Sequence, residues 1–135
     1  MNSDNDCRKR GLKAFQDVTG IPGTAVMESF AEIAPELGQW IVDFSYGEVL
    51  SRPHLDLRTR QLVTVAALTV MGKVAPQLKL HIGGSLNVGC EPKEIIEVIL
   101  QMSIYAGFPV CINAINIARE VFKERGISVN VEGTT

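Results

Sequence analysis

The chain is poor in the residues that most often carry chemistry. Its 135 residues include two histidines, three cysteines, one tryptophan and two tyrosines. His54 and His81 stand far apart, and there is no HExxH or CxxC. A transition-metal centre would therefore have to be assembled from distant parts of the chain. Cys7, Cys90 and Cys111 are odd in number and none is close to another. That excludes a disulfide framework and suits a reducing compartment, so a cytoplasmic protein is expected. Neither sign of charge dominates: 13 basic and 15 acidic residues leave a net charge of −2. With no basic block and no basic–aromatic alternation, nucleic acid is not an expected partner. No apolar run approaches the ~20 residues that span a bilayer, so no membrane partner is expected. The start, MNSDNDCRKR, lacks the apolar stretch of a signal peptide.

What the chain has is apolar surface. Hydrophobic residues make up 46% of it, high for a domain this small. With no membrane span to use that surface, burial between subunits is its natural outlet, and a homo-oligomer is expected. The length suits a single domain over 1–135, with about seven polar N-terminal residues and the tail after 126 loose.

Glycine and proline punctuate a helical pattern throughout. The spacing predicts a short amphipathic helix stopped at Gly20, another ending before Pro35, and a stronger one from Glu36 with Leu37, Trp40, Ile41 and Phe44 on one face. Pro53 ends it, because the residue before a proline is pushed out of helical geometry. A helix opening at Asp56 or Leu57 is apolar on nearly every side from Leu62 to Met71 and stops at Gly72. Three more follow, ended by Gly89, the Tyr105–Gly107 stretch and Gly126. The β-branched runs near 62–70 and 95–99 belong to segments of ~16 residues, too long for ordinary strands. The expected fold is an all-α, compact bundle of six to seven helices.

Several polar residues fall in apolar company. Glu48 continues the Leu37–Ile41–Phe44 stripe, so it is either a buried carboxylate needing a partner or a residue of a last turn that has already reached water. His81 lies one turn after Leu78, as a hydrogen-bonded core residue or a catalyst. Gly83 and Gly84 follow it inside a helix, where each costs about 1 kcal/mol relative to alanine. Close approach of another helix or room for a ligand would compensate. Cys90 reads as packing, since Glu91 beside it would raise its pKa. Arg58 and Arg60 stand at the disfavoured end of a helix dipole, to hold a carboxylate or to pair across a subunit boundary. Tyr105, Asn113 and Asn116 are candidate pocket walls or simple hydrogen-bonding residues.

The stretches SYGEVLSRPHLDLRTRQLVTVAAL, LKLHIGGSLNVG and EIIEVILQMSIYAGFPVCINAINIAREVF together resemble the carboxymuconolactone decarboxylase family, over residues 8–126. The resemblance implies the helical fold shared with alkylhydroperoxidase D-like proteins, assembled as trimers or hexamers. It implies a cofactor-free decarboxylase of a small-molecule lactone or related unsaturated acid, with 4-carboxymuconolactone as prototype. Its glutamate and histidine match Glu48 and His81. Arg58 and Arg60 would anchor a carboxylate, with Gly83 and Tyr105 near the substrate. The peroxidase branch carries C-x-x-C-x-x-x-H, whose thiol positions fall here on Val74 and Gln77, so thiol peroxidase chemistry at this site is not expected. Where the family's decarboxylases have L-H-V-R-A-A, this chain has L-H-I-G-G-S, so Gly83 replaces an arginine and puts the exact substrate in doubt. A related enzyme of different reaction type, such as an isomerase or a peroxidase-like enzyme without CxxC, and a non-catalytic oligomeric binding protein of the same fold are the competing readings.

Overall fold

The computed structural model describes residues 3–129. These form seven α-helices, one of them continued by a π-helical segment, with no strand among the described residues. The helices are α1 (Ser3–Thr19), α2 (Gly23–Ser29), α3 (Pro35–Trp40), α4 (Leu57–Met71), α5 (Ala75–Asn87), α6 (Pro92–Ala106) and α7 (Phe108–Glu124); the π segment, Ile41–Val49, continues α3. The chain divides into two compact units, 1–60 and 61–135, and the division falls inside α4.

Helix ends follow from local chemistry. Asp56 caps α4, its carboxylate accepting the Thr59 N–H at 2.8 Å. Glu91 and Glu94 form a reciprocal capping box at the start of α6. One residue, Gly107, separates α6 from α7; its φ of 89° is a conformation in which a side chain would be strained. The expected stops at Gly20, Gly72, Gly89 and Gly126 also have positive φ.

In the first unit, α1 packs along the π segment. Val42, Tyr46 and Gly47 are buried, Phe15 meets the Tyr46 ring edge-on at 4.9 Å, and Arg8 makes a bidentate pair with Asp43. Burial pushes the Tyr46 phenol up to about 12. Close backbone approach sets this packing. A β-carbon on Gly47 would lie 2.5 Å from the Cys7 carbonyl oxygen, and one on Gly38 2.6 Å from the Met27 Cα.

This arrangement corrects two expectations. The Leu37–Trp40–Phe44 stripe does not face inward: Trp40 and Phe44 are 65% and 64% exposed, and the buried line is Gly38, Val42, Tyr46. The offset is already set in α3, where Gly38 is buried in close approach to Met27 of α2 while Trp40 is exposed. Past Trp40 the i→i−5 bonding, seen in the Leu50 N–H to Ser45 carbonyl bond, widens the turn beyond 3.6 residues. Of the N-terminal residues expected to be loose, 3–7 lie in α1 and Cys7 is buried, while residues 1 and 2 lie outside the described residues.

The second unit holds an apolar core around Val65, Ile82, Ile95, Ile99, Ala114 and Ala118. Each of the three buried isoleucines contributes roughly 1.5–3 kcal/mol of burial. Cys90 packs in this cluster, as expected, and so does Cys111, whose thiol lies 3.5 Å from the Ile99 carbonyl. Ile127 and Val129 also pack against it, so the chain after 126 is partly anchored; residues 130–135, expected to be loose, lie outside the described residues.

Candidate active site

The second unit builds its polar site on two facing helices. On α4 the buried line is Gln61, Val65, Thr69, and on α5 it includes Leu78, Ile82 and Ser85 beside His81. Buried hydroxyls on both helices return to their own backbones. Thr69 Oγ1 donates to the Val65 carbonyl at 2.7 Å, and Ser85 Oγ to the His81 carbonyl at 2.8 Å. Gln61 instead reaches across to α5, where its Oε1 lies 2.9 Å from His81 Nδ1.

Gln61 is 0% exposed, and its Nε2 is a buried side-chain donor with no hydrogen-bond partner among the described residues. Leaving such a group unpaired costs about 1–3 kcal/mol. With Oε1 as the acceptor, Nδ1 of His81 carries the proton, which leaves Nε2 as the proton-exchanging atom of the neutral ring. Burial lowers the His81 pKa below its ordinary 6.5, so the ring is neutral near pH 7.

That shift has a measurable consequence for stability. Below pH ~6.5 the unfolded chain binds a proton at this residue that the folded chain resists, so stability present above ~6.5 is lost as pH falls toward the folded value. Thermal melts between pH 8 and 5 are expected to show a smaller acid-side loss in His81→Gln than in the parent. Identical slopes would mean that burial does not disfavour the charged ring.

In the first unit the π segment carries Glu48. Its side chain is 59% exposed, 3.9 Å from Arg10 Nη2. It therefore does not continue a buried stripe, and of the two readings the solvated last turn is the one realised. The Cys7 thiol lies beside it, and burial together with the Glu48 carboxylate raises the thiol's pKa. Arg10 also lines a cleft of about 400 Å³ with Lys13, Arg52 and Leu57.

The other expected site residues are placed as follows. Arg60 spends its guanidinium on backbone, with Nε 3.1 Å from the Leu55 carbonyl and Nη2 3.2 Å from that of Arg52. It thus braces the loop before α4. Arg58 is half-buried at the second position of that helix and interacts with Asp56. Tyr105 is exposed beside Ile104 and Phe108. Asn113 lines a small cavity with Thr69 and Leu78, and Asn116 accepts a bond from Arg119. Gly83 is buried and does not open free space. A β-carbon there would lie 2.8 Å from Arg125 Nη2, and this guanidinium also donates to Asn87.

The model of the carboxymuconolactone decarboxylase family matches residues 35–120, a span that contains Glu48, Gln61 and His81. The chain belongs to this family. Among carboxymuconolactone decarboxylase family members it is 35% identical to the 4-carboxymuconolactone decarboxylase of Acinetobacter baylyi, over 93% of this chain and 94% of that protein. It is 33% identical to the nitrosuccinic acid decarboxylase of Metarhizium robertsii, over 84% of this chain and 80% of that one.

Within the family frame, Gln61 is the residue that sequence reasoning passed over. It precedes the apolar run Leu62–Met71 and looks like the polar edge of the helix. The available signal was its spacing from Val65 and Thr69 at i, i+4 and i+8, which places all three on one face.

Proposed function

We propose that the chain is a cofactor-free decarboxylase of an unsaturated lactone acid or a related activated acid, with 4-carboxymuconolactone as the prototype. The observation that carries this reading is the end-to-end likeness to the A. baylyi protein. The likeness to a nitrosuccinic acid decarboxylase supports a shared logic rather than a shared substrate. In each named acid the carbon that loses CO2 can pass the released electron pair to an acceptor. In the lactone it runs through the double bond to the carbonyl oxygen, and in the nitro acid to the nitro oxygens.

The steps balance without an oxidant or reductant. The C–CO2 bond breaks, CO2 leaves, and the electron pair becomes a conjugated oxyanion. His81, neutral at rest, takes a proton from solvent onto Nε2, gives it to carbon and returns to the neutral ring, so that one solvent proton is consumed for each CO2 released. Burial of His81 makes its charged form a stronger acid than free imidazolium. Glu48 is assigned to assist proton movement and Arg58 to hold a substrate carboxylate. Gly83 and Tyr105 stay assigned to substrate contact, and Arg60 to a carboxylate contact secondary to its hold on the loop.

A homo-oligomer, trimeric or hexameric, belongs to the same proposal. Trp40 and Phe44 in one unit, and Ile104, Phe108 and Ile112 in the other, leave large apolar side chains in water.

The test is direct. Purified protein with 4-carboxymuconolactone is expected to release one CO2 per molecule consumed, read by ultraviolet absorbance and trapped carbonate. A parallel arm uses nitrosuccinic acid. Release no faster than in buffer for both acids would overturn the decarboxylase reading.

A further inference from the structure

We propose that Gln61 is the positioning residue of His81: its uncharged amide oxygen holds the Nδ1 proton throughout, so that protons enter and leave the ring at Nε2 alone. The inference deepens the decarboxylase reading and rests on it for the role of His81 in turnover, but its core is a statement about one ring and one amide that needs no substrate to test.

The argument begins from what Gln61 gives up. It is wholly buried and its amide nitrogen has no partner among the described residues, whereas Thr69 and Ser85, the other buried polar side chains there, are satisfied within their own helices. An apolar side chain of similar volume would fill the position without leaving a donor unpaired. What that substitution would remove is the 2.9 Å contact to His81 Nδ1. The amide nitrogen is sealed from solvent, so Gln61 acts through His81 rather than on a bound acid.

The choice of an amide over a carboxylate is itself informative. Both accept the Nδ1 proton, but a carboxylate would also stabilise the imidazolium, raising its pKa and weakening it as an acid. An amide fixes the ring and its tautomer while adding no charge. Several charged groups of the second unit are engaged elsewhere. Lys79 pairs with Glu120 and Glu124, Arg119 bonds Asn116, Arg125 bonds Asn87 over Gly83, and Glu94 is engaged in the α6 cap. Burial is the cause of the downward shift at His81. The ring is thus kept neutral at rest and strongly acidic when charged, which suits delivery of a proton to carbon.

Nitrogen NMR of the imidazoles tests this in the intact protein. With two histidines in the chain, exposed His54 serves as internal reference. The parent is expected to show neutral His81 protonated on Nδ1, with a pKa below the ordinary 6.5 of imidazole. Gln61→Glu is expected to raise the His81 pKa by about one to three units. Gln61→Met is expected to release the tautomer preference while circular dichroism remains that of the parent. A parent spectrum with the proton on Nε2, or equal His81 pKa values in the parent and Gln61→Glu, would overturn the proposal. The parent spectrum decides the point even if a variant fails to fold. Failure of the CO2 assay would leave these spectra unchanged, so the two readings fail separately. If turnover is observed, the pH inflection of kcat should move up in Gln61→Glu, which a purely structural role would not produce.

Discussion

Replacing His81 with glutamine is expected to lower kcat for CO2 release by about 10²-fold or more, the usual loss when a positioned general acid is removed. Glutamine suits the test because it matches the side chain in size and can still bond the Gln61 amide, yet it cannot carry a transferable proton near pH 7. A folding defect would appear in the melting curve, whereas a chemical defect appears in turnover alone. Glu48→Gln is expected to reduce turnover in the same direction. Glu48 is exposed, 3.9 Å from Arg10 and beside the Cys7 thiol, and an amide of the same shape should leave the melting temperature within a degree or two. Near-normal turnover in both variants would remove the Glu/His assignment and leave the family likeness without a mechanism.

Much of the scaffold behind that experiment was legible in the sequence, for identifiable reasons. Helix stops depend on one residue each, and a glycine that must adopt positive φ marks its position plainly, as at Gly72 and Gly89. His81 was legible because a rare titratable residue in an apolar stretch draws notice in any reading. The face of the helix carrying Glu48 was not legible. Periodicity reasoning assumes 3.6 residues per turn, and over Ile41–Val49 the backbone departs from it. The inward face is already set upstream, where Gly38 rather than Leu37 closes on Met27 of α2, and Trp40 and Phe44 are left exposed. Gln61 was missed because its significance is relational: only the contact to Nδ1 and the orphaned Nε2 distinguish it from a polar helix edge. The meaning of Gly83 also needed coordinates, since the group that fills its flank, Arg125, comes from the far end of α7.

The same contrast between a flank filled by backbone and one filled by a side-chain tip sets the largest expected effect on stability. Gly11 lies in α1 against the π segment, and a β-carbon there would overlap the Val42 carbonyl oxygen and lie 3.1 Å from Val42 Cγ1. A main-chain carbonyl inside a helix cannot swing away, so Gly11→Ala must push α1 off the segment that carries Glu48. Overpacking of this kind costs about 1–3 kcal/mol or more, and the intrinsic helix preference for alanine returns only about 1 kcal/mol. A net loss of roughly 2 kcal/mol is expected, which lowers Tm by about 8 °C in a chain of this size. Gly83→Ala provides the comparison. Its β-carbon meets Arg125 Nη2 at 2.8 Å, the tip of a long exposed side chain that can rotate aside. That variant should melt at or slightly above the parent temperature, because alanine's helix preference is then largely unopposed. If Gly11→Ala melts with the parent, the close approach of α1 to the π segment is not what holds the first unit together, and the placement of Glu48 would need another support.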